Sequence, residues 1–481
     1  MNTTFVAAKA GANMAKKLES NFDFNNSEIQ NLKYIISTFG CQMNYSDSER
    51  LASLLESYGY SAAESLEEAT LVIFNTCSIK QKAEDKVLGQ MKVIAKMKKK
   101  NPNVIFGITG CMTRTTSSRL STQKDKLLTQ LKELDFVFQI QDLPKVGELL
   151  KQVKPNLSIL EASEADLDSY FKIQPKYATQ FQAYIPIMTG CDKFCTYCIV
   201  PYSRGREKSR KIDDIYLEAT QLVESGCKEI TLLGQNVNSY GLSWNDKKSG
   251  LFSYQENPFV QLLKKLDTIP GLLRLRFTSP HPQDMTNDVI DFIADSRTLM
   301  PYIHLPLQSG SDYILKRMNR NYDTLKFKSI VDYIRKRIPD CTISTDIIIG
   351  FCGETEEYYL ETYKFFEEIG FDLAFISQFS ARRGTAADKL MTDDVSREEK
   401  AKRWHQLNDL LRKTSLKRNQ YFEGKTVKVL VEKLNESTGL LHGRNEHYKE
   451  VVFAGSLELI GQIVEVQIDK ALEWLLEGKL S

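Results

Sequence analysis

No apolar run in this chain approaches the roughly 18 residues that cross a bilayer, and its first thirty residues lack the apolar core of a secretory signal. From Met1 to Gln30 there is no arginine, the first being Arg50, which disfavours a mitochondrial transit peptide. A polar, mobile extension over residues 1–32 is expected instead, with no membrane association. The nine cysteines are odd in number and mostly isolated. In a long chain without export features that pattern argues for reduced thiols, metal ligation and a cytoplasmic setting. With 481 residues, 42% of them hydrophobic, the chain can bury two or three separate cores.

One absence is local. Gly190-Cys191-Asp192-Lys193-Phe194-Cys195-Thr196-Tyr197-Cys198 spaces three thiols by three and then two residues, and no fourth cysteine follows nearby, the next being Cys227. A structural zinc site wants four protein ligands, as does an ordinary electron-transfer iron–sulfur cluster. Three ligands leave one iron of a cubane open, and an open metal position is where chemistry occurs. The spacing resembles the radical S-adenosylmethionine (SAM) signature. A zinc knuckle that borrows a distant fourth ligand is the bland alternative.

The first third of the chain holds a repeat. Tyr34–Cys41, Leu71–Cys77 and Val104–Cys111 each read as an apolar strand, a small or polar residue, then a cysteine before a helix. The cysteines Cys41, Cys77 and Cys111 stand 36 and 34 residues apart, about one βαβ unit each. Leu51, Leu54, Leu55 and Tyr58 share a helical face, with Ser46 and Glu49 expected as a capping box before it. Asp135–Phe138 supplies a fourth strand. In a parallel sheet all strand C-terminal ends lie on one edge, so the three cysteines are expected to converge as a second three-thiolate site. A single cysteine in such a place is usually a small core residue.

From about Gln182 strand and helix alternate again. Six candidate strands, Tyr184–Met188, Glu229–Leu233, Leu273–Phe277, Tyr302–Leu305, Thr345–Ile349 and Leu373–Ser377, predict a partial (β/α)6 barrel. Their ends carry Gly234, Gln235, Ser279, Gln308 and Ser309. The cysteine loop follows the first strand, so these residues share its rim and are candidate cofactor contacts. Ser396 with Glu399 opens a helix in a stretch, residues 381–420, with eleven basic and six acidic side chains in a chain of net charge +2. A second basic group, Arg204, Arg206, Lys208, Arg210 and Lys211, directly follows the three-cysteine loop and is a candidate phosphate-attracting surface. After residue 415 the pattern changes to short alternating strands such as Thr426–Val431, Val451–Phe453 and Gln462–Ile468, which fit a small antiparallel barrel.

Taken together, the chain from about residue 33 onward resembles the radical-SAM methylthiotransferase family. The resemblance rests on Phe39-Gly40-Cys41-Gln42-Met43-Asn44, Asn75-Thr76-Cys77, Gly110-Cys111-Met112, the stretch Gly190–Glu207, Leu233–Gly241 and Pro306–Ser311. The Gly234-Gln235-Asn236-Val237-Asn238-Ser239-Tyr240 text selects the branch acting on isopentenyladenosine in tRNA. The resemblance implies an N-terminal parallel-sheet α/β domain over 33–150, a linker over 151–181, a radical-SAM core over 182–415 and a TRAM-like β-barrel over 416–481.

It also implies two [4Fe-4S] clusters and SAM. Cys191, Cys195 and Cys198 would hold the cluster that cleaves SAM, and Cys41, Cys77 and Cys111 the auxiliary cluster that donates a methylated sulfur. The product would be a 2-methylthio base at position 37, beside the anticodon. Tyr197 is a candidate to pack on the SAM adenine, the alternative being that it buries against the barrel, and Arg444 is a candidate RNA contact. Expected partners are a tRNA anticodon stem-loop and an electron donor such as a flavodoxin, with the enzyme a monomer. Two departures stand out: Cys352 where the family commonly has proline, and an atypical Glu446-His447-Tyr448 after Gly443-Arg444-Asn445. Cys352 is expected to be unligated. The competing readings are a methylthiotransferase acting on a ribosomal-protein aspartate, against which Arg204, Arg206 and Gln235-Asn236 speak, and a non-catalytic iron–sulfur protein that binds RNA or senses redox state.

Overall fold

The computed structural model describes residues 32–77, 81–161, 169–249 and 256–481. The extension expected over 1–32 lies outside them except for Leu32. The chain forms two compact units: residues 1–178 with Tyr202–Arg204, and Thr179–Pro201 with Gly205–Ser481.

The first unit is a six-stranded sheet. Its central strands Lys33–Phe39, Leu71–Thr76, Ile105–Gly110 and Phe136–Phe138 are adjacent and parallel. Parallel strands buried on both faces read as continuous apolar runs, and these do: Leu71–Thr76 and Ile105–Gly110 are buried at every position. One face packs Leu51, Leu54, Leu55 and Tyr58 from the helix Gln42–Ser57 against Ile73, Ile105, Phe136 and Phe138. The other packs Val87 and Ile94, from the helix Gln81–Lys100, against Ile35, Val72, Phe74, Phe106 and Ile108.

Two expectations change here. The first helix starts at Gln42, with Cys41 as its N-cap residue, not at Ser46. Asn44 Oδ1 accepts from the Cys41 backbone N–H at 3.2 Å, so the start lies a turn earlier and Ser46 is buried inside the helix. Part of the stretch read as a linker is core: Leu157, Tyr170 and Ile173 join the first unit's apolar cluster, and the Lys176 backbone N–H donates to the Glu49 carbonyl at 3.1 Å.

The second unit contains all six expected strands as two three-stranded parallel sheets. Gln182–Pro186, Glu229–Leu233 and Arg274–Phe277 form one, and Tyr302–His304, Thr342–Ile349 and Leu373–Gln378 the other. The helix Arg397–Asn419 follows, its N-terminus capped by Ser396, whose Oγ accepts from the Glu399 N–H at 3.1 Å. Part of its positive charge is spent inside the protein. Arg403 bonds the Glu354 carboxylate at 2.8 Å, and the Arg418 guanidinium donates to the Gly370 carbonyl at 3.1 Å.

The C-terminal strands close a five-stranded barrel, Thr426–Asn435, Leu440–Asn445, Glu450–Phe453, Leu475–Leu480 and Ile463–Ala471 in spatial order. Four of its pairings are antiparallel and one, Glu450–Phe453 with Leu475–Leu480, is parallel. Its Asn445–Tyr448 turn seats against the core sheet. The Arg276 guanidinium donates to the Asn445 and Glu446 carbonyls at 2.9 and 3.0 Å, and the Tyr448 ring stacks on Tyr302 with centroids 4.6 Å apart.

Candidate active site

In the first unit, strand register decides where the cysteines fall. Phe39 pairs with Thr76, and Thr76 with Gly110, so the three strand ends are level and the residues just beyond them meet. Cys77 N–H donates to the Phe39 carbonyl at 2.8 Å and Cys111 N–H to the Thr76 carbonyl at 2.7 Å. Gly110 makes the second approach possible. Its φ is +92°, and a Cβ there would lie 2.3 Å from the Thr76 carbonyl oxygen, so only glycine fits.

The Cys77 thiol is hydrogen-bonded with both Cys41 and Cys111. The bond from Cys77 pulls Cys41 down to about 7; burial opposes this and the Arg204 charge assists it. Cys77 itself is pushed far up by its two thiol partners and then by burial. Cys77 and Cys111 are buried, and Cys41 forms the exposed edge of the trio. Asn44 Oδ1 also accepts from the Cys41 thiol at 3.4 Å, while its amide donates to Asn75 Oδ1 at 2.9 Å.

In the second unit, Gly190 turns the chain into the Cys191–Cys198 loop. Its φ is +82°, and a Cβ there would meet the Arg206 carbonyl oxygen at 2.1 Å. The loop is pinned from several sides. Cys191 N–H donates to the Gly205 carbonyl at 3.1 Å, Thr196 N–H to Met318 at 3.0 Å, and Ala387 N–H to the Thr196 carbonyl at 2.8 Å. Lys193 pairs with Asp284 at 2.8 Å. Burial, then Glu207, Cys198 and Cys195, push the Cys191 thiol well up. Buried Arg320 donates to Cys195 Sγ at 3.4 Å. The sequence reading missed Arg320, and no motif flags a lone arginine three residues beyond a short helix.

The rim around this loop carries two kinds of signal. Ser279 and Gln308 adopt φ of +60° and +73°, a left-handed backbone uncommon outside glycine that marks candidate functional positions. Gln235 Oε1, Asn236 Oδ1 and His281 Nε2 are buried without a hydrogen-bond partner. Burial, then the charges of Arg320 and Lys193, hold His281 well below its usual range, so the ring is neutral. Orphaned buried polar atoms in a native protein call for a partner, and a ligand with amino, carboxylate and ribose groups supplies one.

Each remaining candidate has a definite place. Gly234 is buried at the end of Glu229–Leu233. Ser309 is buried and bonded to the Thr362 hydroxyl at 3.1 Å, a packing role. Tyr197 is half-buried and packs edge-on to Phe351 at 6.4 Å, beside an apolar cluster that also holds Cys352. Cys352 is buried in that cluster.

The basic group divides. Arg206 and Lys208 are at the surface, with Arg206 paired to Asp192 at 2.6 Å. Arg204 and Arg210 are buried, ion-paired to Asp47 at 2.5 Å and Glu218 at 2.6 Å. These two are not phosphate contacts, because desolvated paired charges offer nothing to an external anion. Arg444 is engaged within the second unit, lying over the Tyr448 ring at 4.4 Å and pairing with Glu432 at 3.3 Å.

Among the described residues no group of three or more His, Cys, Asp or Glu side chains is arranged for a single metal ion. A cubane suits each trio better, since it distributes its thiolates over separate irons. No helix of the described residues is long and apolar enough to cross a membrane.

Known protein families match three stretches of the chain. Residues 185–366 match the Radical SAM superfamily, residues 33–133 the Uncharacterized protein family UPF0004 and residues 420–481 the TRAM domain. The chain is 42% identical over 450 residues to the tRNA-2-methylthio-N(6)-dimethylallyladenosine synthase of Clostridium perfringens, covering 93% of this chain and 97% of that one. It is 40% identical to the protein of that name from Thermoanaerobacter pseudethanolicus, covering 94% and 93%. Among solved structures it is similar in fold to the radical S-adenosylmethionine methyltransferase TsrM from Kitasatospora setae. The TM-score is 0.52 at 12% identity, covering 74% of this chain and 77% of that one. A Radical SAM match entails SAM and a [4Fe-4S] cluster.

Proposed function

Since this chain belongs to the family of tRNA-2-methylthio-N(6)-dimethylallyladenosine synthases, we infer that it adds a methylthio group to C2 of N6-isopentenyladenosine at position 37 of tRNA. The observation that carries the reading is the pair of three-cysteine sets at the C-terminal strand ends of two parallel-sheet units. Cys191, Cys195 and Cys198 would hold the SAM-binding cluster, and Cys41, Cys77 and Cys111 an auxiliary one. When bound, these groups supply a hydrogen-abstracting radical and a methylated sulfur, chemistry that no side-chain acid or base could perform on an unactivated aromatic C–H.

The protein's own share is positioning. Arg320 donates to the Cys195 sulfur and holds it in place. Neutral His281, Asn236 and Gln235 offer unspent polar atoms to the cofactor, and Ser279 and Gln308, with their left-handed backbone, lie at the neighbouring strand ends. Arg206 and Lys208 are the surface charges of the basic group that remain for an anticodon stem-loop, and the TRAM barrel is a second RNA surface. A cytoplasmic monomer supplied by a donor such as a flavodoxin completes the reading. Arg204 drops out of the case against a protein substrate, which rests on Arg206, the Gln235-Asn236 stretch and the tRNA-directed relatives.

Replacing Cys41, Cys77 and Cys111 together by alanine tests it. Iron content is expected to fall by one cluster, with SAM cleavage kept and methylthiolation of the tRNA abolished. Unchanged iron would rule out the auxiliary site.

A further inference from the structure

Arg204 occupies an unusual position in the chain. It follows Cys198 by six residues, yet Tyr202–Arg204 is the one stretch after Ala178 that belongs to the first unit. The Gln139 side chain holds it there, donating to the Ser203 carbonyl at 3.3 Å. Arg204 is 4% exposed and its partner Asp47 0%. One Asp47 oxygen accepts from Arg204 Nη2 at 2.5 Å and the other from the Tyr170 hydroxyl at 2.7 Å. Arg204 Nη1 is buried with no partner.

A buried ion pair is costly to desolvate and is weak evidence for stability, and an unsatisfied buried donor adds to that cost. Both observations make sense if an anion belongs beside the guanidinium. The sulfurs of the trio are its neighbours: burial works against the Arg204 charge, but Asp47 and then Cys111 more than offset it, and Arg204 acts in turn on Cys41.

We propose that Arg204 is a positioning residue for the auxiliary cluster, donating an Nη1–H hydrogen bond to a sulfur of the cluster held by Cys41, Cys77 and Cys111, with Asp47 and Tyr170 fixing the orientation of its fork. Hydrogen bonds to cluster sulfurs and local charge are the protein's levers on reduction potential. A cationic donor stabilises the reduced, more negative cluster and so raises its potential. The inference rests on the two-cluster reading above.

The test uses the full chain with Cys191, Cys195 and Cys198 replaced by alanine, so that only the auxiliary site can hold iron, and compares Arg204→Met and Arg204→Lys with that parent. Iron content, circular dichroism and a redox titration followed by electron paramagnetic resonance are measured on each. Arg204→Met is expected to lower the midpoint potential enough to change the reduced-to-oxidised ratio at a fixed poise at least tenfold, ~59 mV for a one-electron couple. Arg204→Lys, which keeps the charge but loses the planar fork, is expected to shift it less in the same direction.

If Arg204→Met fails to fold because Asp47 is left unpaired, Arg204→Lys decides the matter. A folded Arg204→Lys that no longer retains iron also supports the proposal. A cluster-loaded variant that titrates at the parent potential overturns it, as does an Arg204→Lys protein whose first unit is unfolded, which would make the residue structural. Absence of iron from the parent itself would instead overturn the two-cluster reading.

Discussion

At the scale of single residues, several side chains of the first unit combine burial with incomplete pairing. Glu49 shows the consequence for pH. Its Oε1 accepts from the Ala178 backbone N–H at 2.9 Å, while Oε2 is buried without a partner. Burial pushes its carboxyl up from the ordinary 4.5 to about 7, against the opposing effects of the Ala178 hydrogen bond and Arg50. A carboxyl whose folded pKa exceeds its unfolded one binds its proton more tightly in the folded state. Its contribution to stability is therefore present below 4.5 and lost as pH rises through about 7. Glu49→Gln keeps the acceptor for Ala178 and removes the charge. It is expected to melt above the parent at about pH 8, with the gap closing toward about pH 5. Scanning fluorimetry across that range checks it, and a gap independent of pH would exclude the mechanism. The same residue scale shows where sequence reading stops. The cysteines were legible because their spacing follows from chemistry. Arg204 read as a surface cation because charge in a sequence does not declare burial, and Asp47, its partner 157 positions away, carries no mark at all.

At the scale of elements, the turn from strand to helix after Phe39 is the piece on which the first trio depends. Gly40, Cys41 and Asn44 act together: a Cβ on Gly40 would sit 2.2 Å from Asn44 Oδ1, so glycine leaves room for the amide that accepts from both the backbone and the thiol of Cys41. Asn44→Ala removes those bonds and the one to Asn75. The expected cost is about 1–2 kcal/mol, the range for losing a cap with a buried partner left unpaired. Lower iron retention should accompany it. Urea melts and iron counting check both, and parental values for the two would show that Asn44 is only filling space. The strands were readable because burial on both faces writes them as apolar runs. The helix start was not, because Ser46 is a better statistical cap than cysteine while the actual cap is assembled by Asn44. In the C-terminal barrel, Leu440–Asn445 and Leu475–Leu480 escaped notice because His442, Gly443, Arg444 and Gly478 dilute the alternation.

At the scale of the whole molecule, the second unit joins a catalytic sheet to a small barrel through a polar and aromatic seam. Arg274 donates to the Lys428 and Arg444 carbonyls at 2.8 and 2.9 Å, Arg276 pairs with Glu229 at 3.0 Å, and Lys449 pairs with Asp372 at 2.9 Å. Tyr448 lies at the centre, in a left-handed backbone with φ of +63°, stacked on Tyr302 and flanked by Arg276 at 5.0 Å and Arg444 at 4.4 Å. A tyrosine held in that conformation is a strain that surrounding contacts must repay. The departure at Glu446-His447-Tyr448 noticed in the sequence is thus a docking device, and it engages Arg444 in the seam. The stacking and cation–π contacts are each worth about 1 kcal/mol, so Tyr448→Ala should loosen the barrel without unfolding the sheet that carries Cys191, Cys195 and Cys198. Limited proteolysis is expected to release a fragment cut near residues 420–425, with SAM cleavage at parental rate and tRNA modification reduced. A parental digestion pattern would mean that the arginine hydrogen bonds alone hold the seam. Loss of SAM cleavage along with tRNA modification would mean that barrel and cofactor rim are one cooperative body, and that the barrel does more than present RNA.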